Sequence, residues 1–255
     1  MTGEELSNCG PGLKPGPGVC ALIPALNEEY ALPGVVTGLQ EAGVARIIVV
    51  DNGSTDRTAV VARALGAEVV PEPRRGYGAA CLAGISHLAA NQPPEVLVFI
   101  DGDQSDDPAA IGRLIEPIFA GHADFVVGVR GAAASDGGNA VPPHARLGNA
   151  VILAVARLLH GTRFRDLGPF RAIRFSVLRS LEMDDRDWGW TLQMQLRAHH
   201  LGVATEEVVV PHRERAGGRS KVSGTISGSL RAGSKMLFIL LRERLGPVRA
   251  SVSDC

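Results

Sequence analysis

From Val19 onward, short apolar runs alternate with helix-length segments, and this rhythm restricts the fold more than any other property of the chain. Cys20–Pro24, Ile47–Val50, Val69–Val70 and Val96–Ile100 read as buried strands, separated by helices over Leu32–Ala42, Thr55–Leu65 and Gly78–Ala90. Parallel strands need crossover connections, commonly helices, so the alternation predicts an α/β fold: a mostly parallel, doubly wound sheet flanked by helices. Phe125–Gly128, Phe170–Ile173 and Val203–Val210 extend the strand series, while Leu147–Leu159 and Trp190–His200 extend the helices. With 255 residues, 45% of them hydrophobic, the chain can bury a core as a single compact domain.

Gly and Pro dominate CGPGLKPGPG at 9–18, so residues 1–18 are expected to be a flexible segment. A first half then runs over 19–130. The second half, 131–224, opens with the Gly/Ala-rich stretch 131–142, expected to be a mobile loop, and 225–255 form an amphipathic helix and tail. A formal charge of −1 gives no general attraction to phosphate backbones, and no nucleic-acid partner is expected. Cys9, Cys20, Cys81 and Cys255 lack the close spacing of a zinc or redox motif and read as reduced thiols of a cytoplasmic protein. No basic n-region precedes a long apolar run, and no stretch has the roughly 18 apolar residues of a membrane span.

Open parallel sheets bind ligands beyond the carboxyl ends of their strands, where loops diverge and helix N-termini offer unpaired N–H groups. The polar clusters fall there: Asn27 and Glu28 after the first strand, Asp51 to Asp56 after the second, and Asp101 to Asp107 after VLVFI. Asp106 and Asp107, just before Pro108, read as caps of the next helix, and Ser54 or Thr55 as the cap after VVDNG. Asp101 and Asp103 lie too early to cap. Like charges so close need a compensating cation, and oxygen ligands favour Mg2+ or Mn2+ over zinc, bridging the carboxylates to a diphosphate.

Four segments, PALNEE at 24–29, DNGSTD at 51–56, RGYGA at 75–79 and DGD at 101–103, stand in the order and spacing seen in family-two glycosyltransferases. The chain resembles that family, of GT-A fold, and within it the dolichyl-phosphate mannosyltransferase and polyprenyl-phosphate glucosyltransferase branch. The resemblance runs from about Val19 through nearly the whole chain. It implies a nucleotide-sugar-binding half at 19–130, in which Pro24, Leu26, Glu28, Asp51 and Asn52 contact the nucleoside and Arg75 and Gly76 lie near the base or sugar. Asp101 would hold ribose or metal beside Gly102, Asp103 would be the principal metal ligand, and Ser105 a further one. Leu26 stands where many relatives place Tyr, and Asn52 replaces a frequent second Asp.

The second half resembles the same branch at DLGP 166–169, FRAIR 170–174, WGWTLQM 188–194 and RAGGRSKVSG 215–224, and would bind the acceptor. Gln193 stands where relatives often carry Glu. A hydroxyl acceptor needs a positioned base, whereas a phosphate monoester is already anionic, so Gln193 favours a phosphate acceptor while Asp166 keeps a hydroxyl acceptor open. Arg130, Arg213, Arg215, Arg219 and Lys221, with Ser220 and the glycines at 217 and 218, would hold phosphate oxygens; the alternative for this run is a solvated loop. The catalytic candidates are thus Asp103, Asp166, Arg219 and Lys221. One of Trp188 and Trp190 at least is expected to pack in a core or interface. Around Met236–Leu241 the terminal helix carries cations, which suits either the inner surface of a membrane or packing on the domain or a second subunit.

These expectations describe a hexosyltransferase, metal-dependent and inverting, using a UDP- or GDP-sugar and a lipid phosphate. Two alternatives fit less well or lack chemistry. A nucleotidyltransferase would carry a Gly-rich basic loop after its first strand, which PALNEE is not. A non-catalytic nucleotide-sugar binder would share the donor site and transfer nothing.

Overall fold

The computed structural model describes residues 13–130, 143–215 and 226–246. The expected flexible start (1–12 of it), the loop 131–142, residues 216–225 with Arg219, Ser220 and Lys221, and the tail after 246 lie outside the described residues.

Chain order is β1 (Val19–Ala25), α1 (Leu32–Glu41), β2 (Arg46–Asp51), α2 (Thr58–Ala64), β3 (Glu68–Pro71), α3 (Tyr77–Ala90), β4 (Val96–Phe99), α4 (Ile111–Phe119) and β5 (Phe125–Arg130). Then follow α5 (Pro143–His160), β6 (Arg171–Arg174), α6 (Phe175–Ser180), α7 (Trp190–His200), β7 (Thr205–Val210) and α8 (Ile226–Leu245). One seven-stranded sheet runs β3-β2-β1-β4-β6-β5-β7. Its pairings are parallel except those of β6, antiparallel to both β4 and β5. The mostly parallel expectation therefore holds, with one reversed strand.

Strand periodicity divides the interior. Val19, Ala21 and Ile23 face the core beneath α1 and α4, whereas Cys20 and Leu22 face the one beneath α3, α6 and α7, as a doubly wound sheet requires. Trp190 is buried there against Phe99 with ring centroids 6.3 Å apart, so this tryptophan is core, as expected of one of the pair. A third cluster joins α5, α7 and α8 through Ile152, Ala156, Leu192, Leu196, Ile239 and Leu240.

The two halves are not separable bodies, because β6 from the second lies between β4 and β5 of the first. Helix α6, six residues long, escapes periodicity analysis because it spans fewer than two turns.

Candidate active site

The loops after β1 and β2 are fastened to each other. Asn27, with φ of 53°, receives the Thr55 N–H on Oδ1 at 2.8 Å and donates its own N–H to Ser54 Oγ at 3.0 Å. A short polar side chain tolerates this left-handed backbone, which explains asparagine at the turn. Neither Ser54 nor Thr55 caps α2, correcting that expectation. Asp56 Oδ1 instead accepts the Thr58 N–H at 2.9 Å, and Asp51 Oδ1 braces the turn through the Ser54 N–H at 3.0 Å.

A cavity of about 340 Å3 opens at the carboxyl ends of β1, β2 and β4. Its lining includes the apolar Pro24 and Leu26, the acidic Glu28, Asp101 and Asp103 with Gly102, and Arg75, Gly76 and Arg215. All of these are among the residues expected to bind substrate or metal. Tyr77, Asp187 and Trp188 line the cavity too, although the motifs RGYGA and WGW carried no expected contact at positions 77 and 188.

Asn52 also lines the cavity, but its amide is spent elsewhere. Nδ2 donates to Glu72 O (3.1 Å) and Arg74 O (2.7 Å), and Oδ1 accepts the Gly76 N–H (2.8 Å). It thus holds the 72–76 loop, and with it Arg75, whose Nη2 donates to Gly53 O at 2.8 Å. A carboxylate at 52 could not make the two donations, which accounts physically for asparagine.

Asp101 Oδ1 is buried without a hydrogen-bond partner. Burial first, then the neighbouring Asp103 and Asp106 carboxylates, push Asp101 up to about 8, against smaller opposing effects of Arg215 and the Tyr77 hydroxyl. Asp103, also buried, accepts the Ser105 N–H on Oδ1 at 2.9 Å, and its Oδ2 lies 2.7 Å from Arg215 Nη2. Among the described residues no three acidic, His or Cys side chains gather to hold a metal. An unpartnered carboxylate oxygen beside a second buried carboxylate nevertheless suits a hard divalent ion that takes its other ligands from a diphosphate.

Asp107 caps as expected, accepting the Ala109 N–H at 3.1 Å, whereas Asp106 does not. Its Oδ1 lies 3.2 Å from His212 Nδ1, because a bridge between residues 106 and 212 lays the 212–215 segment along the acidic loop. Arg213 fastens the same seam through its N–H to Ser105 O (2.8 Å) and its Nη2 to Asp107 Oδ2 (3.1 Å). Arg213 is not among the residues lining the cavity, and it anchors the segment that delivers Arg215.

At the end of β5, Arg130 and Asp166 form a two-pronged pair, Nε to Oδ2 at 2.8 Å and Nη2 to Oδ1 at 2.6 Å. Asp166 also accepts the N–H groups of Arg130 and Leu167 and the Asn149 amide. Burial alone would raise this carboxyl, but the Arg130 guanidinium outweighs it and holds Asp166 below the usual range. Both oxygens are committed, so the geometry makes Asp166 the holder of Arg130 rather than a free base. Gln193 is displaced further from its expected role. Wholly buried, its Oε1 accepts the Asp184 and Asp185 N–H groups, and its Nε2 donates to Asp184 Oδ1 and Glu243 Oε1. It joins α7 to α8 and is not among the residues lining this cavity.

Residues 20–182 match the family described as Glycosyl transferase family 2. An uncharacterized glycosyltransferase of Mycobacterium tuberculosis is 41% identical over 215 residues, covering 84% of this chain and 94% of that protein. A dolichyl-phosphate hexose transferase of Haloferax volcanii is 31% identical over 222 residues, covering 86% and 92%. Among solved structures, glucosyl-3-phosphoglycerate synthase from Mycobacterium tuberculosis, in complex with Mn2+, UDP and phosphoglyceric acid, superimposes with a TM-score of 0.70 at 25% identity, covering 90% of this chain and 79% of that one.

Proposed function

This chain belongs to glycosyl transferase family 2, and on that premise we propose that it moves a hexose, glucose or mannose, from a UDP- or GDP-sugar to a polyprenyl phosphate with inversion. The donor would lie in the cavity, its diphosphate toward Asp101 and Asp103 and its nucleoside along Pro24 and Leu26. Mg2+ or Mn2+ held by these two carboxylates would neutralise charge on the departing nucleoside diphosphate, where preorganised electrostatics contribute most. Arg215, already within reach of Asp103, supplies a second positive charge on the same side.

The observation that carries the acceptor reading is Arg130. Asp166 fixes its guanidinium, one quarter exposed, close enough to Asp101 and Asp106 for their charges to act on it. A fixed cation there suits an anionic nucleophile. An acceptor phosphate oxygen would attack the anomeric carbon as the bond from that carbon to the diphosphate oxygen breaks. No proton need be removed, which agrees with the commitment of Asp166 and Gln193 to other partners. The relative named for dolichyl-phosphate hexose transfer supports this class of acceptor.

The likeness to the phosphoglycerate-using synthase supports a second reading, in which the acceptor is a soluble phosphorylated hydroxy acid. A transfer assay with radiolabelled UDP-glucose or GDP-mannose and Mn2+ separates the two. Label passing to polyprenyl phosphate, and lost in Arg130→Ala, supports the first; label passing only to 3-phosphoglycerate overturns it. Donor hydrolysis without transfer to either leaves only the donor half of the proposal.

At the membrane, the exposed leucines of α8 and α5 are read as a lipid-facing surface at the cytoplasmic side. Among the described residues no helix is long and apolar enough to cross a bilayer.

A further inference from the structure

Helix α3 begins at the cavity without a side-chain cap. The first N–H groups of a helix need acceptors, and here they are backbone carbonyls from a distant loop: Gly78 N–H to Asp187 O at 3.2 Å and Ala79 N–H to Arg186 O at 2.9 Å. The approach is so close that a Cβ on Gly76 or Gly78 would lie 2.1 Å from Arg186 O or Asp185 O. The same loop supplies Asp187 and Trp188 to the cavity wall, while Gly76, just before α3, and Tyr77 and Ala80 of α3 supply more of it. The position of residues 185–188 therefore sets the shape of one side of the donor cavity.

That loop is held from the terminal helix. Lys235 of α8 places Nζ 2.7 Å from Asp185 Oδ2 and 3.7 Å from Asp187 Oδ2. The Asp185 side chain is only 1% exposed, so the ammonium compensates a nearly dry carboxylate. Asp185 in turn receives the Asp187 N–H on Oδ1 at 2.9 Å, which passes the restraint along the loop. Beside it, Gly189 leaves room for Ile239 of α8, whose Cγ1 would lie 2.6 Å from any Cβ there. Charge and packing thus seat α8 on the segment that caps α3.

We propose that Lys235 is a positioning residue for the donor cavity, setting nucleotide affinity through Asp185 and Asp187 although it lines no part of the cavity itself. The inference rests on the nucleotide-sugar reading of the cavity. It places control of the donor site in the C-terminal helix, the element read above as meeting the membrane.

Isothermal titration of UDP and of GDP with Mn2+ tests it on the full chain. Lys235→Met should raise Kd for whichever nucleotide binds by about fivefold or more, in the usual range for coupled sites, and Lys235→Arg should stay within about twofold of wild type. Because Lys235→Met strands the Asp185 charge, Lys235→Met with Asp185→Asn is the companion; it should recover the melting temperature while nucleotide affinity stays weak. In turnover the defect should raise donor KM with kcat little changed. Unchanged nucleotide affinity in both variants overturns the proposal and leaves the donor site intact. Failure of the wild-type chain to bind either nucleotide removes the donor reading, and this inference with it.

Discussion

Asp103 and Asp101 carry different burdens in the same loop. Replacing Asp103 by Asn keeps its shape and removes the charge, so nucleotide binding in Mn2+ should fall at least tenfold, roughly the loss of one charge-assisted contact, toward its value in chelator. Undiminished affinity by calorimetry would refute that role. Asp101 gives a pH signature. Its carboxyl, normally near 3.8, sits at about 8, so between these values the folded chain binds more protons than the unfolded one. Stability of the metal-free protein from this group should therefore fall as pH rises from 4 to 8. Saturating Mg2+ or Mn2+ should offset the fall, because the ion favours the ionised form, and melting curves over that range check both signs. Arg171 is a third case: wholly buried, its burial lowers it to about 10, and it donates to Gly168 O and Thr191 O. Arg171→Met should cost roughly 2–4 kcal/mol in denaturant unfolding by stranding two carbonyls. The acidic loop was legible in sequence because carboxylates crowd after an uncharged strand. Asn52, Asp166 and Gln193 were legible as positions but not as roles, since each has a defining partner far along the chain: Glu72 for Asn52, Arg130 for Asp166 and Glu243 for Gln193.

Elements were legible where a single period governs them, and seams between elements were not. The alternation gave β1 through β5 nearly to the residue, yet nothing periodic announces that β6 is reversed or that residue 212 pairs with residue 106. The seam between α7 and α8 is of this hidden kind. Glu243 accepts from Arg197 Nε at 3.0 Å, from Gln193 Nε2 at 2.8 Å and from Arg242 Nη2 at 2.8 Å. Burial pushes this carboxyl up, but the three donors outweigh it and hold it at about 2. A depressed carboxyl stabilises the fold above its unfolded value near 4.5, and the contribution is lost as pH falls through about 2. Glu243→Gln should thus cost about 1–3 kcal/mol at pH 7 and much less near pH 2, read from urea unfolding at both. Equal losses at both pH values would show that the cost is packing and not charge.

At the scale of the whole molecule, two neighbouring helices leave apolar surface uncovered. Helix α5 buries Ile152 and Ala156 but exposes Leu147, Val151 and Leu158; α8 buries Ile239 and Leu240 but exposes Leu237, Phe238, Leu241 and Leu245. Each exposed set recurs at helical spacing along one side. The terminal helix therefore packs on the domain with one side, as one of its two expected uses required, and leaves the other side open. Exposed Arg157 and Arg244 accompany these stripes, and long cationic side chains beside an apolar face suit an anionic lipid surface. A polyprenyl phosphate acceptor would bring the protein to such a surface. The expected outcome is flotation of the full chain with vesicles containing phosphatidylglycerol and not with purely zwitterionic ones. Leu237→Glu, Leu241→Glu and Leu245→Glu together should weaken that partition by tenfold or more, since each large apolar side chain buried is worth roughly 1.5–3 kcal/mol. Nucleotide affinity should hold in the triple variant, because none of the three belongs to the cavity wall or to the Lys235–Asp185 link. Sedimentation velocity supplies the opposing result: a dimer that the triple substitution dissolves, from a chain that ignores vesicles, would assign this face to a second copy of the chain instead of to lipid.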